Sequence, residues 1–199
     1  MEAEKNAIDE LNYIKKIIED SRRIVADNGM GYIVWGVLVT IGMVLGYIKY
    51  SMNLAFDYIW AWAIIIALGW LFSFIAYYRK KPAEVSTFAG RIIGRLWFSF
   101  GVSMTVLGFG GYFSHAISGE YISAVIALVL GAAYYISSIL YDWNWFKAIG
   151  VLWWAGGFTL LFVNDVKQFL IMAGLMIFGQ IVPGIILYVK YKKQFSQAK

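Results

Sequence analysis

Residues 59–81 read IWAWAIIIALGWLFSFIAYYRKK, and this stretch decides the fold class. Residues 59–77 are uncharged and come close to the roughly 20 apolar residues that a helix needs to cross a hydrocarbon core of ~30 Å. Residues 63–68 lack the apolar and polar alternation of a barrel strand, and an isolated sheet edge is not stable in lipid. The stretch therefore predicts a transmembrane helix that ends at a basic cluster.

Five more stretches are similar, so we predict an all-α integral membrane protein with six transmembrane helices. The predicted spans are 32–48, 59–77, 96–113, 122–140, 148–163 and 169–188. The chain is 61% hydrophobic and only 15% charged, whereas charged residues make up about a quarter of a soluble domain. Span 148–163 is the shortest. We expect it to recruit Trp145 and Phe146 while Lys147 extends its ammonium to the membrane surface.

The basic residues are distributed unevenly about these spans. Of the 17 Lys and Arg residues, all but Lys49 and Lys167 fall on one side. Positive charge near the ends of spans is retained in the cytoplasm. The pattern predicts that both termini are cytoplasmic.

Three regions follow along the chain: a cytoplasmic amphipathic helix in residues 1–29, a six-helix membrane domain in 30–190 and a basic cytoplasmic tail in 191–199. The apolar residues of the first region recur at helical spacing; they are Ile8, Leu11, Ile14, Ile18 and Val25. Gly29 suits the left-handed position that ends a helix. This amphipathic helix either packs on the cytoplasmic end of its own bundle or pairs with another helix, in an oligomer or a partner.

Small residues recur in the spans. A small residue and a threonine stand four apart in each odd span, as Gly36 and Thr40, Gly101 and Thr105, and Ala155 and Thr159. Either three hairpins are repeated, or these are the small residues common in membrane helices. Gly42 with Gly46 and Gly90 with Gly94 favour close helix packing, within one chain or across a homo-oligomer.

The residues needed for chemistry are scarce. No acidic or basic residue lies within the six predicted spans, and a proton-coupled carrier usually needs a carboxylate there. His115 is the single histidine and the chain has no cysteine, which excludes bis-histidine haem, HExxH zinc and thiolate sites. Nucleophile-elbow, P-loop and dinucleotide motifs are missing too. We therefore predict no enzymatic activity, no cofactor and no nucleic-acid partner.

Gln180, followed by Pro183-Gly184, is the main polar feature within a span. Proline lacks an N–H and clashes with the carbonyl four residues earlier, that of Gly179, so it can bend the helix. In one interpretation the bent helix lines a solute cavity formed by Gln180, Pro183 and three threonines, namely Thr40, Thr105 and Thr159. In the other, Gln180 bonds a neighbouring helix through one of these threonines.

Arg91 and Arg95 stand one helical turn apart where the third span enters the membrane. They are candidates to hold a lipid phosphate or a carboxylate of a partner; the alternative is that they only set the topology. Glu19 and Asp20 are candidate counterparts of the basic segment 79–95. Exposed ion pairs of this kind contribute only ~0–1 kcal/mol each.

The opening Glu10-Leu11-x-x-Ile14-x-x-Ile17-Ile18-Glu19-x-Ser21-x-Arg23 runs into a glycine-rich first span. It resembles the opening of small, uncharacterised bacterial multi-span membrane proteins. The resemblance covers about 35 residues and implies a location in the bacterial inner (cytoplasmic) membrane. It transfers no functional residue.

Together these observations predict a non-enzymatic sensing, regulatory or scaffold component of the membrane. Its interaction surface would be formed by residues 11–25 and 79–95, and would engage a cytoplasmic protein partner or a second copy. The alternative is a small-solute transporter subunit or an oligomeric channel with its site near Gln180.

Overall fold

The computed structural model describes residues 10–13, 28–79, 88–141 and 143–196, and within these residues it contains helices and short connections but no strand. The helices are α1 (Met30–Ser51), α2 (Tyr58–Arg79), α3 (Phe88–Thr105, continued by Val106–Gly110 and Gly111–Phe113), α4 (Gly119–Tyr141), α5 (Asn144–Leu160) and α6 (Lys167–Met176, continued by Ile177–Ile181 and Val182–Ser196). Residues 10–13 are helical; the rest of the predicted amphipathic helix, including Glu19 and Asp20, lies outside the described residues.

Five of these helices are long and apolar enough to cross a membrane: α1, α2, α3, α4 and α6. The prediction of an all-α membrane protein is confirmed at this level. Helix α5 has 17 residues and begins at Asn144, so Trp145 and Phe146 belong to it as expected. Both α3 and α6 contain a π-helical turn, at Val106–Gly110 and Ile177–Ile181.

Helix α3 extends beyond the predicted span 96–113. It begins at Phe88, two turns before residue 96, so this part of the basic connection is helical, as the position of Phe88 and Ile92 on one helical face predicts. Arg91 and Arg95 interrupt the apolar run, but arginine is a good helix former and does not interrupt the helix. Both arginines are therefore helical, and both are exposed.

The first helix packs against the last, and most other contacts join helices that are neighbours in the chain. Helix α1 contacts α2 and α6, α4 contacts α3 and α5, and α5 contacts α6. Backbones approach closely between α4 and α5: a Cβ built on Gly150 would lie 3.0 Å from the carbonyl oxygen of Gly131. This close pair lies across two of the predicted hairpins rather than within one.

The bundle has two chemically distinct ends. Rings of Tyr32, Trp97, Tyr134 and Phe146 meet near one end, and rings of Tyr50, Tyr58 and Phe169 meet at the other. The described bases at the first end, called here the basic end, are Arg79, Arg91, Arg95, Lys147, Lys190, Lys192 and Lys193. Lys49 and Lys167 lie at the opposite end.

Candidate functional site

Gln180 is enclosed by two other helices. It lies in the π turn of α6 and is only 5% exposed. Tyr134 Oη of α4 donates a hydrogen bond of 2.6 Å to its Oε1. Its aliphatic stem lies against α1, because a Cβ built on Gly36 would be 3.1 Å from Gln180 Cγ. Gln180 thus does bond a neighbouring helix, but its partner is a tyrosine and not one of the three threonines.

The buried Pro183 has the expected consequence for the carbonyl four residues earlier. The oxygen of Gly179 accepts a hydrogen bond of 3.1 Å from Trp153 Nε1 of α5. A Cβ on Gly179 would lie 2.8 Å from that nitrogen, so glycine is what allows the indole to approach. Because Pro183 has no N–H, the Gly179 carbonyl lacks its usual backbone donor, and the indole of another helix supplies a hydrogen bond instead.

Aromatic rings surround the hydroxyl that binds Gln180. The ring of Tyr134 lies 5.2 Å from Trp97, 5.3 Å from Phe146 and 5.8 Å from Tyr32, measured between centroids. These are the separations of rings in direct contact. Tyr134 and Phe146 are fully buried. The ring of Tyr134 is therefore packed among aromatic side chains; within the described residues, the buried Nε1 of Trp97 in this cluster has no hydrogen-bond partner.

The three predicted threonines are not gathered around Gln180. Each donates to the carbonyl four residues earlier in its own helix: Thr40 to Gly36 at 2.7 Å, Thr105 to Gly101 at 2.8 Å and Thr159 to Ala155 at 2.9 Å. Thr40 is one turn from the α1 surface that touches Gln180. Thr159 is exposed on α5, so these residues do not line one buried cavity.

Tryptophans link neighbouring helices in a way that the sequence reasoning did not identify. Three further indoles donate across helices: Trp35 to Ser73, Trp70 to Thr105, and Trp154 to the carbonyl of Leu128, at 3.0, 3.2 and 3.1 Å. Each lies over a glycine of the helix it bonds: Gly69, Gly101 and Gly131 respectively. These contacts could have been sought in the sequence by pairing tryptophans with glycines of other spans. A buried indole N–H usually finds a hydrogen-bond partner, and a glycine leaves room for the ring.

The predicted arginine pair lies away from Gln180. Arg91 and Arg95 are exposed on α3 at the basic end of the bundle. Their predicted acidic counterparts, Glu19 and Asp20, lie outside the described residues, so that pairing stays a prediction.

At the opposite end, His115 is exposed in the connection between α3 and α4 and has a positive φ of 57°. Across the described ranges, no three His, Asp or Glu residues are grouped so that they could hold a metal ion.

Five helices that are long and apolar enough to cross a membrane define a multi-pass α-helical membrane protein. Comparison with family models, curated proteins and solved structures found no match to this chain.

Proposed function

We propose that this is a six-span protein of the bacterial inner membrane, with both termini in the cytoplasm, that acts as a non-enzymatic sensing, regulatory or scaffold component. It would work through the cytoplasmic surface formed by residues 11–25 and 79–95. The observation that carries the proposal is the close packing of aromatic rings around the Tyr134–Gln180 bond, beneath an end that holds most of the charge.

The proposed topology rests on the basic end. Positive residues near span ends are retained in the cytoplasm, and only Lys49 and Lys167 of the described bases lie at the opposite end. For six spans α5 must cross as well. Its 17 residues give a length of about 25 Å at the usual helical rise, close to the hydrocarbon thickness.

Aromatic and basic side chains at the basic end of α5 lie where the short helix would meet the membrane surface. Lys190 Nζ of α6 lies 5.6 Å from the ring centroid of Trp143 and 5.4 Å from that of Trp145. Indoles and snorkelling lysines of this kind are typical of the headgroup layer. These contacts support the proposal that α5, although short, crosses the membrane beside the other helices.

The N-terminal segment joins the bundle at a fixed place. Gly29 has a φ of 69°, and a Cβ built on it would collide with the carbonyl oxygen of Gly184 in α6. This close approach requires glycine at residue 29. Whatever residues 1–27 bind, their attachment point is beside α6, which supports a role in presenting a cytoplasmic segment.

A second candidate function is transport, and one observation favours it. Gln180 lies in a π turn just before a proline, and π turns occur frequently at functional sites. A native mass spectrum of the purified chain separates the two: a monomer that retains a small molecule of defined mass would favour a carrier. A ring-like oligomer without ligand would favour a channel or scaffold.

The proposed function is tested by deleting residues 2–27 and, as a control, residues 197–199. We expect the first deletion to change the cross-linked partners or the subunit number in cells, while thermal unfolding of the membrane domain stays the same. The control should change neither. If the first deletion leaves assembly and every cross-linked partner as in the full chain, the proposal is wrong.

A further inference from the structure

Helix α6 changes its backbone geometry near the middle. Its π turn, Ile177–Ile181, ends two residues before Pro183. Proline provides no N–H and a π turn shifts the hydrogen-bond register, so the backbone here lacks the regular bonds of an α-helix. Sharp bends of helices occur at both features. The turn divides α6 into an outer half, Lys167–Met176, and an inner half, Val182–Ser196, which extends to the basic end.

The outer half is fixed between two other helices. A Cβ built on Gly46 of α1 would lie 2.6 Å from Phe169 Cε1, and one built on Gly156 of α5 would collide with Leu175. Glycine at these two positions lets α1 and α5 lie directly against the outer half. Close packing of this kind is what holds helices together in lipid, so we expect the outer half to stay in place.

The inner half is attached mainly to the start of α1. A Cβ built on Gly184 would lie 3.0 Å from the carbonyl oxygen of Gly29, and Gly29 immediately precedes α1. The inner half also reaches Trp143 and Trp145 through Lys190, whose long side chain can follow a displacement. A movement of the inner half would therefore carry residue 29 with it.

Two hydrogen bonds from other helices hold the π turn. Tyr134 Oη of α4 donates to Gln180 at 2.6 Å, and Trp153 Nε1 of α5 donates to the carbonyl of Gly179 at 3.1 Å. Both bonds are buried. The angle between the two halves of α6 is thus set by side chains of α4 and α5, and not by the backbone of α6 alone.

From this arrangement we propose that the π turn of α6 is a hinge. The Tyr134–Gln180 and Trp153–Gly179 bonds, called here the latch, hold it in the observed position, and their release displaces the inner half together with residue 29. A bend of about 20° at the turn moves Lys192 by about 6 Å. The inference rests on the proposed function for the role of the N-terminal segment, and it names the element that would move that segment.

The test measures distances between pairs of spin labels by electron paramagnetic resonance on the purified full chain in a mild detergent. The chain has no cysteine, so exposed residues can carry the only labels: I139C/K192C relates the inner half to α4, and N28C/K192C relates it to the residues before α1. The Y134F/W153F variant removes both donors of the latch and keeps an aromatic ring at each position. We expect it to increase the displaced population of I139C/K192C about fivefold, as the loss of two interhelical hydrogen bonds implies. The N28C/K192C distances should not change, because both labels move together.

The matched control is Y135F/W154F, which changes the neighbouring residue in each of the same two helices. The rings of Tyr135 and Trp154 stack on each other at 5.3 Å, and Trp154 Nε1 donates to the carbonyl of Leu128 in α4. Neither contact involves α6. This variant should give the wild-type distances with both pairs of labels.

If Y134F/W153F does not fold, Y134F alone is measured and should increase the displaced population about twofold. Adding P183A, which restores an N–H to α6, should reverse the increase. The proposal is overturned if the latch variant that folds keeps the wild-type I139C/K192C distances, if P183A does not reverse its effect, or if Y135F/W154F has the same effect. It is also overturned if the N28C/K192C distances change as much as those of I139C/K192C. The deletion of residues 2–27 tests the proposed function separately in cells, so the failure of one proposal can be told from the failure of the other.

Discussion

The pair α4–α5 and the pair α2–α3 are held together by different means. Between α4 and α5, backbones touch: a Cβ on Gly157 would lie 3.2 Å from the nitrogen of Leu128, and one on Gly150 would lie 3.0 Å from the oxygen of Gly131. Between α2 and α3, the large side chain of Trp70 makes the link. In the apolar windows 44% of α4 is buried, against 11% of α2 and 6% of α3.

The difference shows where glycine has an effect in a membrane bundle. Lipid is as apolar as a helix surface, so association depends on close packing and interhelical hydrogen bonds rather than on exclusion of water. A glycine that faces the backbone of another helix allows both close packing and hydrogen bonds between the helices. Gly94, whose Cβ position lies more than 4 Å from the described residues of every other helix, is open to its surroundings instead. We therefore expect substitutions to be costly in α4–α5 and mild in α2–α3.

The largest effect is expected for G150L. The added side chain must displace backbone atoms of α4, which cannot move aside as a flexible side chain can. Overpacking of this kind should lower the free energy of unfolding by about 3 kcal/mol. SDS-induced unfolding in mixed micelles measures it.

The control for G150L is G94L, which introduces the same side chain at an open position. Its effect on stability should stay within about 0.5 kcal/mol. Equal losses for the two variants would show that the contrast between the helix pairs is wrong.

An intermediate effect is expected for Y134F. This variant keeps the ring but removes the donor to Gln180, which is then left buried without that bond. The loss should be about 1 kcal/mol. A double-mutant cycle with Q180L checks the cause: Y134F should cost clearly less in the Q180L background than in the wild type. A full loss in the Q180L background would mean that the hydroxyl acts through another contact.

The smallest effect is expected for W70F. It keeps an aromatic ring over Gly101 but removes the indole donor to Thr105, a bond that is only partly buried. We expect a loss of about 0.5 kcal/mol in the same unfolding measurement. If W70F were as damaging as G150L, α2 and α3 would be held more firmly than the packing indicates.

The sequence was most informative where one physical property acts along the chain. Uninterrupted apolar runs predicted the five helices that are long and apolar enough to cross a membrane, since crossing lipid requires such runs whatever the neighbouring helices are. At the start of α3, hydropathy marks where the apolar span begins, and the helical spacing of Phe88 and Ile92 shows that the helix itself begins earlier. The π turns were not predicted, since they leave no periodicity to read.

The partners of the candidate site depend on tertiary packing. Tyr134 and Gln180 are 46 residues apart in the chain, and nothing local connects them. The threonines were expected to bond Gln180, but each has a carbonyl of its own helix within reach and bonds that. The free carbonyl caused by Pro183 was predictable, whereas Trp153 as its partner was not.

The central claim is a six-span topology with the basic end in the cytoplasm, and it depends most on α5. The chain contains no cysteine, so single cysteines can be introduced at Asn144, the first residue of α5, and at Asn164, in the connection after α5; both residues are exposed. In intact cells a membrane-impermeant maleimide should label N164C, and should label N144C only after permeabilisation. The same labelling pattern for both positions would contradict the six-span account.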